Sequence, residues 1–109
     1  MRSLMIAAVL VAALARQAAA QDAQIAKGEA VYAAQKCVMC HSVGDKGNKK
    51  GPLDGVGSKL SAADIRTWMT DAKAMTAKTN STRKPEMKSY ALSKEDLDAL
   101  VAYMVSLKK

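Results

Sequence analysis

The stretch Cys37-Val38-Met39-Cys40-His41 holds both cysteines and the only histidine of the 109-residue chain. The side chains best suited to covalent attachment and metal ligation are thus gathered within five positions. Four kinds of site use such residues: a disulfide, a redox dithiol, a structural zinc site and a covalently held cofactor. The rest of the sequence discriminates among them.

Three of these alternatives fit the sequence poorly. A disulfide between cysteines this close closes a small loop and constrains little of the unfolded chain. A thioredoxin-like redox pair occurs in a βαβ context, and the sequence shows almost no strand pattern. A structural zinc site takes four Cys or His ligands, whereas the chain has two Cys and one His. The spacing C-x-x-C-H is instead the attachment signature of a c-type haem. Cys37 and Cys40 would bond to the haem vinyl groups, and His41 would ligate the iron.

The N-terminal segment has the layout of a secretory signal peptide. After a short positive start, residues 4–15 form an apolar run, and Ala18-Ala19-Ala20 offers small residues at a cleavage site. A membrane anchor would need about 17–25 apolar residues, and Arg16 interrupts the run. We therefore expect residues 1–20 to be removed on export and residues 21–109 to form one domain.

The apolar interior that this sequence can build is small. The chain has no Phe, one Trp and three Tyr. Domains of this size often need a disulfide, a metal or a cofactor in addition to their core. A haem held by Cys37 and Cys40 would complete the core, and without it we expect a largely unfolded chain.

The chain is basic, with 17 Lys and Arg against 10 Asp and Glu and a formal net charge of +7. Such a surface favours acidic partners, although it does not determine the fold. Nucleic acid is not an expected partner, because an exported protein rarely meets it and aromatic residues are few.

Helical periodicity predicts three helices. They cover residues 22–36, residues 62–72 and a final segment that begins at Ser93. A long glycine-rich loop, residues 42–58, separates the first two helices, and a polar, basic segment, residues 72–91, separates the last two. Within the first helix Gly28 is unusual, because glycine there costs about 1 kcal/mol relative to alanine. We interpret Gly28 as a point where another helix crosses.

With these features, residues 21–109 resemble class I (mitochondrial-type) cytochrome c in its short bacterial form. In that family a helix ending at C-x-x-C-H crosses the C-terminal helix at close range. Gly28 and Tyr32 match the small and aromatic residues of the first helix, and Leu100 and Tyr103 match the residues that face them. The resemblance implies an all-α cytochrome c fold, with three or more helices around a covalently bound haem and a Gly-rich loop.

The resemblance also implies a cofactor site for one haem c, attached through Cys37 and Cys40. His41 would be the proximal iron ligand. By analogy with the family, the carbonyl of Pro52 would accept a hydrogen bond from the ring of His41 and fix its orientation. Trp68 lies on the apolar face of the middle helix, and a haem propionate could accept a hydrogen bond from its indole N–H.

The second axial ligand would be a methionine. Met69 and Met104 lie on helical stripes, where methionine is usually a packing residue, and Met39 lies inside the attachment motif. Met87 lies in an irregular segment before the last helix, where the family places its axial methionine. Met87 is therefore the predicted iron ligand together with the proximal histidine, and Met75 is the alternative.

This ligand set implies a protein that carries one electron, because His/Met ligation raises the reduction potential and fills both axial positions. We expect a soluble, monomeric periplasmic protein of a respiratory chain, not an enzyme. It would dock on redox partners with acidic faces and meet membranes only indirectly, through redox complexes. Two alternatives remain: a haem subunit of a periplasmic dehydrogenase or oxidase complex, and a five-coordinate cytochrome that binds gases or turns over peroxide.

Overall fold

The computed structural model describes the backbone of residues 2–109 and the side chains of residues 9–109. The fold is mostly helical, as predicted, with a short 3₁₀ turn and one two-stranded antiparallel sheet. The helices are α1 (Arg2–Ala34), α2 (Val56–Lys59), α3 (Ala62–Thr70), α4 (Ala72–Thr79) and α5 (Lys94–Ser106). The 3₁₀ turn is Cys37–Met39, and the strands are β1 (Ser42–Val43) and β2 (Lys46–Gly47).

The first helix is longer than the predicted range of 22–36. It continues without interruption through the alanine-rich N-terminal segment, because alanine has the highest helix propensity. The side chains of Val9, Leu10, Val11 and Leu14 are 60% to 69% exposed. The core therefore does not depend on this part of α1. None of the described helices is long and apolar enough to span a membrane.

The predicted helix over 62–72 is two helices in the structure. α3 ends at Thr70, and Asp71 leaves the helical conformation with φ −146° and ψ 64°. The Asp71 carboxylate accepts a hydrogen bond from the backbone N–H of Ala74 at 3.3 Å, which caps the start of α4. The segment 72–91, predicted to be polar and basic, therefore begins with a helix.

The glycine-rich loop, residues 42–58, folds back on itself. Gly44 in the turn between β1 and β2 and Gly47 at the end of β2 have φ of 60° and 101°, a region that favours glycine. The backbone N–H of Leu53 then donates to the carbonyl of Ser42 at 2.8 Å. Strands of two residues are too short to show an alternating pattern, so the sequence did not predict this sheet.

The core lies where α1, α3 and α5 meet. α1 packs mainly against α5, and α3 packs against the same helix. The buried apolar side chains of this cluster are Val31, Tyr32, Ile65, Met69, Leu100, Val101, Tyr103 and Met104.

The crossing of α1 and α5 takes place at Gly28. A Cβ atom there would overlap the carbonyl oxygen of Ala99 and would lie 2.7 Å from the Cβ of Tyr103. The rings of Tyr32 and Tyr103 meet edge to face, with centroids 5.6 Å apart and an interplanar angle of 72°. Leu100 is buried beside them. The prediction that Gly28 marks a helix crossing and faces this part of the last helix is confirmed.

Replacing Gly28 with alanine is expected to destabilise the haem-loaded protein. Helix propensity alone would favour the variant by about 1 kcal/mol. The added methyl group instead forces the α5 backbone away, and overpacking of this kind costs about 1–3 kcal/mol. Denaturant unfolding measures the change. Ala30→Val is the control, because Ala30 is exposed on the same helix. A Gly28→Ala variant at least as stable as the wild type would contradict the close crossing.

Candidate cofactor site

The attachment segment is a compact turn at the end of α1. Lys36 adopts a left-handed conformation, with φ 58°, and so turns the chain out of the helix. Within the 3₁₀ turn that follows, the carbonyl of Cys37 accepts the backbone N–H groups of Cys40 at 3.1 Å and His41 at 2.9 Å. This turn holds both thiols and the imidazole close together. Both cysteines are free thiols, Cys37 half-buried and Cys40 exposed.

The ring of His41 is held by the loop that follows it. With Nδ1 protonated, His41 donates to the carbonyl oxygen of Gly51 at 3.0 Å. This hydrogen bond leaves Nε2 as the nitrogen with a free lone pair. Burial lowers the pKa of His41, and the Arg83 guanidinium lowers it further, against an opposing effect of the Gly51 carbonyl. The neutral imidazole that results is the form that ligates a metal.

The prediction that the Pro52 carbonyl accepts the His41 bond is wrong. The acceptor is one residue earlier, at Gly51, whose carbonyl also accepts the backbone N–H of Ser42 at 3.1 Å. Ser42 and Pro52 form a parallel β-bridge, and along extended chain successive residues face opposite sides. The bridge therefore turns Gly51 towards His41. Pro52 itself is exposed and is not among the residues that line the cavity described next.

A cavity of about 670 Å³ lies beside the attachment turn. Cys37, Cys40 and His41 all line it, and so do Trp68 and Met87. Its volume is in the range of about 300–1,000 Å³ that is usual for cofactor sites. The remaining lining includes the apolar side chains of Tyr32, Leu53, Val56, Leu60, Ile65, Met69 and Met104. The structure thus brings five of the six predicted site residues to one cavity.

The methionines differ in their relation to this cavity. Met87 lines it and is half-buried, in the irregular segment between α4 and α5. Met75 is 5% exposed within α4 and is not among the lining residues. Met69 and Met104 line the cavity as buried members of the core, as their helical stripes predicted. Of the two candidates for an iron ligand, only Met87 reaches the cavity.

Tyr32 carries a buried polar atom at the same cavity. Its hydroxyl is enclosed, and no hydrogen-bond partner for it lies among the residues that the structure describes. Burial raises the pKa of Tyr32 to about 12. Nearly all buried polar groups in proteins are paired with protein, water or a bound group. The unpaired hydroxyl, the two thiols, the neutral imidazole and the apolar walls together fit a large apolar group that carries a metal, as haem does.

Replacing Tyr32 with phenylalanine is expected to change the pH dependence of stability more than the stability itself. Among the described residues the hydroxyl has no partner, so its loss at neutral pH should cost no more than one hydrogen bond to a bound group, about 0.5–1.5 kcal/mol. The folded pKa of about 12 lies above the ordinary value of 10.0, so this phenol stabilises the fold below pH 10 and loses that contribution as pH rises through 12. Denaturant unfolding of the haem-loaded protein between pH 8 and about 12 tests this. An equally steep loss in the variant would contradict it.

Arg83 is a residue of the site that sequence reasoning missed. Its side chain lines the cavity and donates a hydrogen bond from Nη2 to the carbonyl oxygen of Cys40. In the sequence Arg83 is one of several basic residues of the segment 72–91. Such a run is usually a solvated surface, and no local pattern distinguishes this arginine from its neighbours.

The comparisons with known proteins agree with this geometry. Residues 25–108 match the sequence profile of the family described as Cytochrome c. Searches of curated proteins and of solved structures gave no match. The match covers the attachment motif, the residues that line the cavity, α2 to α5 and the last ten residues of α1, and the family carries haem c bound covalently through cysteines. The two cysteines, the histidine and the all-α fold around the cavity are thus accounted for together: this chain belongs to the cytochrome c family.

Proposed function

We propose that this protein is a periplasmic electron carrier whose haem iron is ligated by His41 and Met87. Membership of the cytochrome c family implies haem-based electron transfer. The observation that carries the proposed ligand set is the position of Met87, on the cavity shared with Cys37, Cys40 and His41. When bound, haem supplies an iron centre that gains and loses one electron.

The residues of the cavity have separate tasks in this proposal. The Gly51 carbonyl orients the imidazole of His41, and such outer contacts also raise the basicity of the ligand. The thioether of Met87 favours the reduced metal and raises the reduction potential. With His41 and Met87 both bound to the iron, no coordination site would be left for a gas or a peroxide. The apolar walls exclude water, which also influences the potential.

The surface beside the cavity supports a partner with an acidic face. Met39 is 70% exposed within the attachment turn. Lys36 and Lys88 line the cavity, and Lys84 is exposed nearby in sequence. Exposed lysines in this arrangement steer an anionic partner towards the site, at rates that fall with ionic strength. We propose that the protein meets its redox partners as a monomer, after residues 1–20 have been removed on export.

Reversing the charge of two lysines near the cavity tests whether they steer an anionic partner towards it. Lys84→Glu together with Lys88→Glu is expected to slow the reaction of the reduced protein with ferricyanide, an anionic oxidant, by about tenfold at low ionic strength. The difference from the wild type should disappear at high salt. Lys59→Glu with Lys94→Glu is the control of equal net charge, because both residues lie outside the segment that carries Met87 and neither lines the cavity. Equal rates for the two double variants at low salt would contradict the proposed surface.

Carbon monoxide separates an electron carrier from a gas-binding or peroxidatic cytochrome. The reduced, haem-loaded protein is mixed with ferricyanide in the presence and absence of carbon monoxide. With Met87 bound, the oxidation rate should be the same in both cases. A protein with an open sixth position would bind the gas and be oxidised more slowly, and that result would overturn the proposed function.

A further inference from the structure

We propose that Arg83 is a positioning residue that fastens the segment carrying Met87 to the haem-attachment turn. The inference rests on the proposed role of Met87 as iron ligand. It assigns to Arg83 the control of how readily that ligand leaves, through contacts with the attachment turn and Gly51.

The segment around Met87, residues 82–88, makes few hydrogen bonds to the rest of the described chain. Between α4 and α5 the chain forms neither helix nor strand. Arg83 precedes Met87 by four positions, and its guanidinium reaches the Cys40 carbonyl. Lys84 pairs only with Glu86, inside the segment. Among the residues that the structure describes, Arg83 is the only member of 82–88 that hydrogen-bonds to another part of the chain.

The guanidinium of Arg83 also packs closely against Gly51. An added Cβ atom at Gly51 would be 2.6 Å from the Cζ of Arg83 and would also overlap the Cys40 carbonyl. A residue with a side chain would therefore displace the guanidinium. Gly51 is the same residue whose carbonyl holds the ring of His41. Arg83 thus contacts two groups near the attachment turn: the carbonyl of Cys40 and the residue whose carbonyl orients the ring of His41.

The other end of the segment is anchored elsewhere. The hydroxyl of Ser89 accepts the backbone N–H of Ala72 at 2.9 Å, and the backbone N–H of Tyr90 donates to the carbonyl of Met69 at 2.7 Å. These contacts attach the segment to the junction of α3 and α4. Met87 therefore lies between these contacts with the junction of α3 and α4 and the contact of Arg83 with the attachment turn. A hydrogen bond from a charged donor is among the stronger kinds, so the loss of Arg83 should release one end of the segment.

Imidazole, a small ligand that competes for the sixth position, provides the test. The oxidised, haem-loaded wild type and its Arg83→Gln variant are titrated with imidazole, and global stability is measured by denaturant unfolding. Arg83→Gln should bind imidazole about tenfold more tightly, the factor expected when one hydrogen bond to a charged group is lost. Arg83→Lys keeps a charged donor but lacks the planar guanidinium, and it should give an intermediate affinity.

Arg66→Gln is the matched control. Arg66 donates to Asp98 at 2.6 Å between α3 and α5, away from the Met87 segment, so its loss should lower global stability without changing imidazole affinity. If Arg83→Gln gains no more affinity than Arg66→Gln, the inference about Arg83 is overturned. Met87→Ala identifies a failure of the proposed function: if it binds imidazole no more tightly than the wild type, Met87 is not the ligand, and both proposals are overturned.

Discussion

Replacing Cys37 and Cys40 with alanine is expected to produce a chain that does not fold. Without the two thioether bonds the haem is not retained, and the cavity of about 670 Å³ loses its contents. Without haem, water would enter and wet the apolar walls, and each lining side chain that loses its burial costs about 1.5–3 kcal/mol. The whole free energy of unfolding of a protein is only ~5–15 kcal/mol. The helices packed around the cavity cannot offset that loss.

Far-ultraviolet circular dichroism and denaturant unfolding of the haem-free double variant measure this effect. We expect weak helical signal and no cooperative transition. Cys40→Ala alone is the control, because it retains one thioether bond and should fold with lower stability. A cooperative, helical, haem-free protein would contradict the view that the cofactor completes the core.

Replacing Met87 with alanine is expected to change the electronic properties of the site far more than its stability. Loss of the thioether should lower the reduction potential by roughly a few tenths of a volt, within the ~0.8 V range that axial ligands control. The reduced variant should also bind carbon monoxide, because the sixth position is open. Redox titration and ligand binding measure the two changes.

Met75→Ala is the matched control for this variant. Met75 is buried in α4 and does not line the cavity, so its replacement should lower the free energy of unfolding by about 2–5 kcal/mol. Its reduction potential should stay close to that of the wild type. If Met75→Ala lowers the potential and Met87→Ala does not, the assignment of the two methionines is reversed.

Local, covalent and steric constraints explain what could be predicted from the sequence. The spacing from Cys37 to His41 is set by the chemistry of attachment, and it can be read without knowledge of the fold. Gly28 can also be interpreted from the sequence alone. A glycine inside a helix lowers helix stability, and a close helix crossing explains why it is present there. The identity of the crossing helix and the meeting of Tyr32 with Tyr103 were implied by the resemblance to cytochrome c, and the structure shows both.

Features that depend on tertiary contacts could not be predicted in the same way. The break between α3 and α4 involves a distant residue, because the backbone N–H of Ala72 donates to the hydroxyl of Ser89 at 2.9 Å. The choice of Gly51 over Pro52 as hydrogen-bond acceptor depends on the β-bridge to Ser42. Arg83 gives no local signal, since its partners are distant in sequence.

The expectation that residues 1–20 are a signal peptide stays a prediction. α1 runs through this segment, and its side chains from Val9 to Leu14 are largely exposed. N-terminal sequencing of the protein purified after export would locate the first residue of the mature chain.

The measurement that tests the account most directly is the absorption spectrum of the oxidised, haem-loaded wild-type protein in the far red. A methionine-to-iron charge-transfer band is predicted there, because Met87 is the proposed sixth ligand beside His41. A spectrum without this band, from a protein that readily binds carbon monoxide when reduced, would contradict His/Met ligation and with it the proposed electron-carrier function.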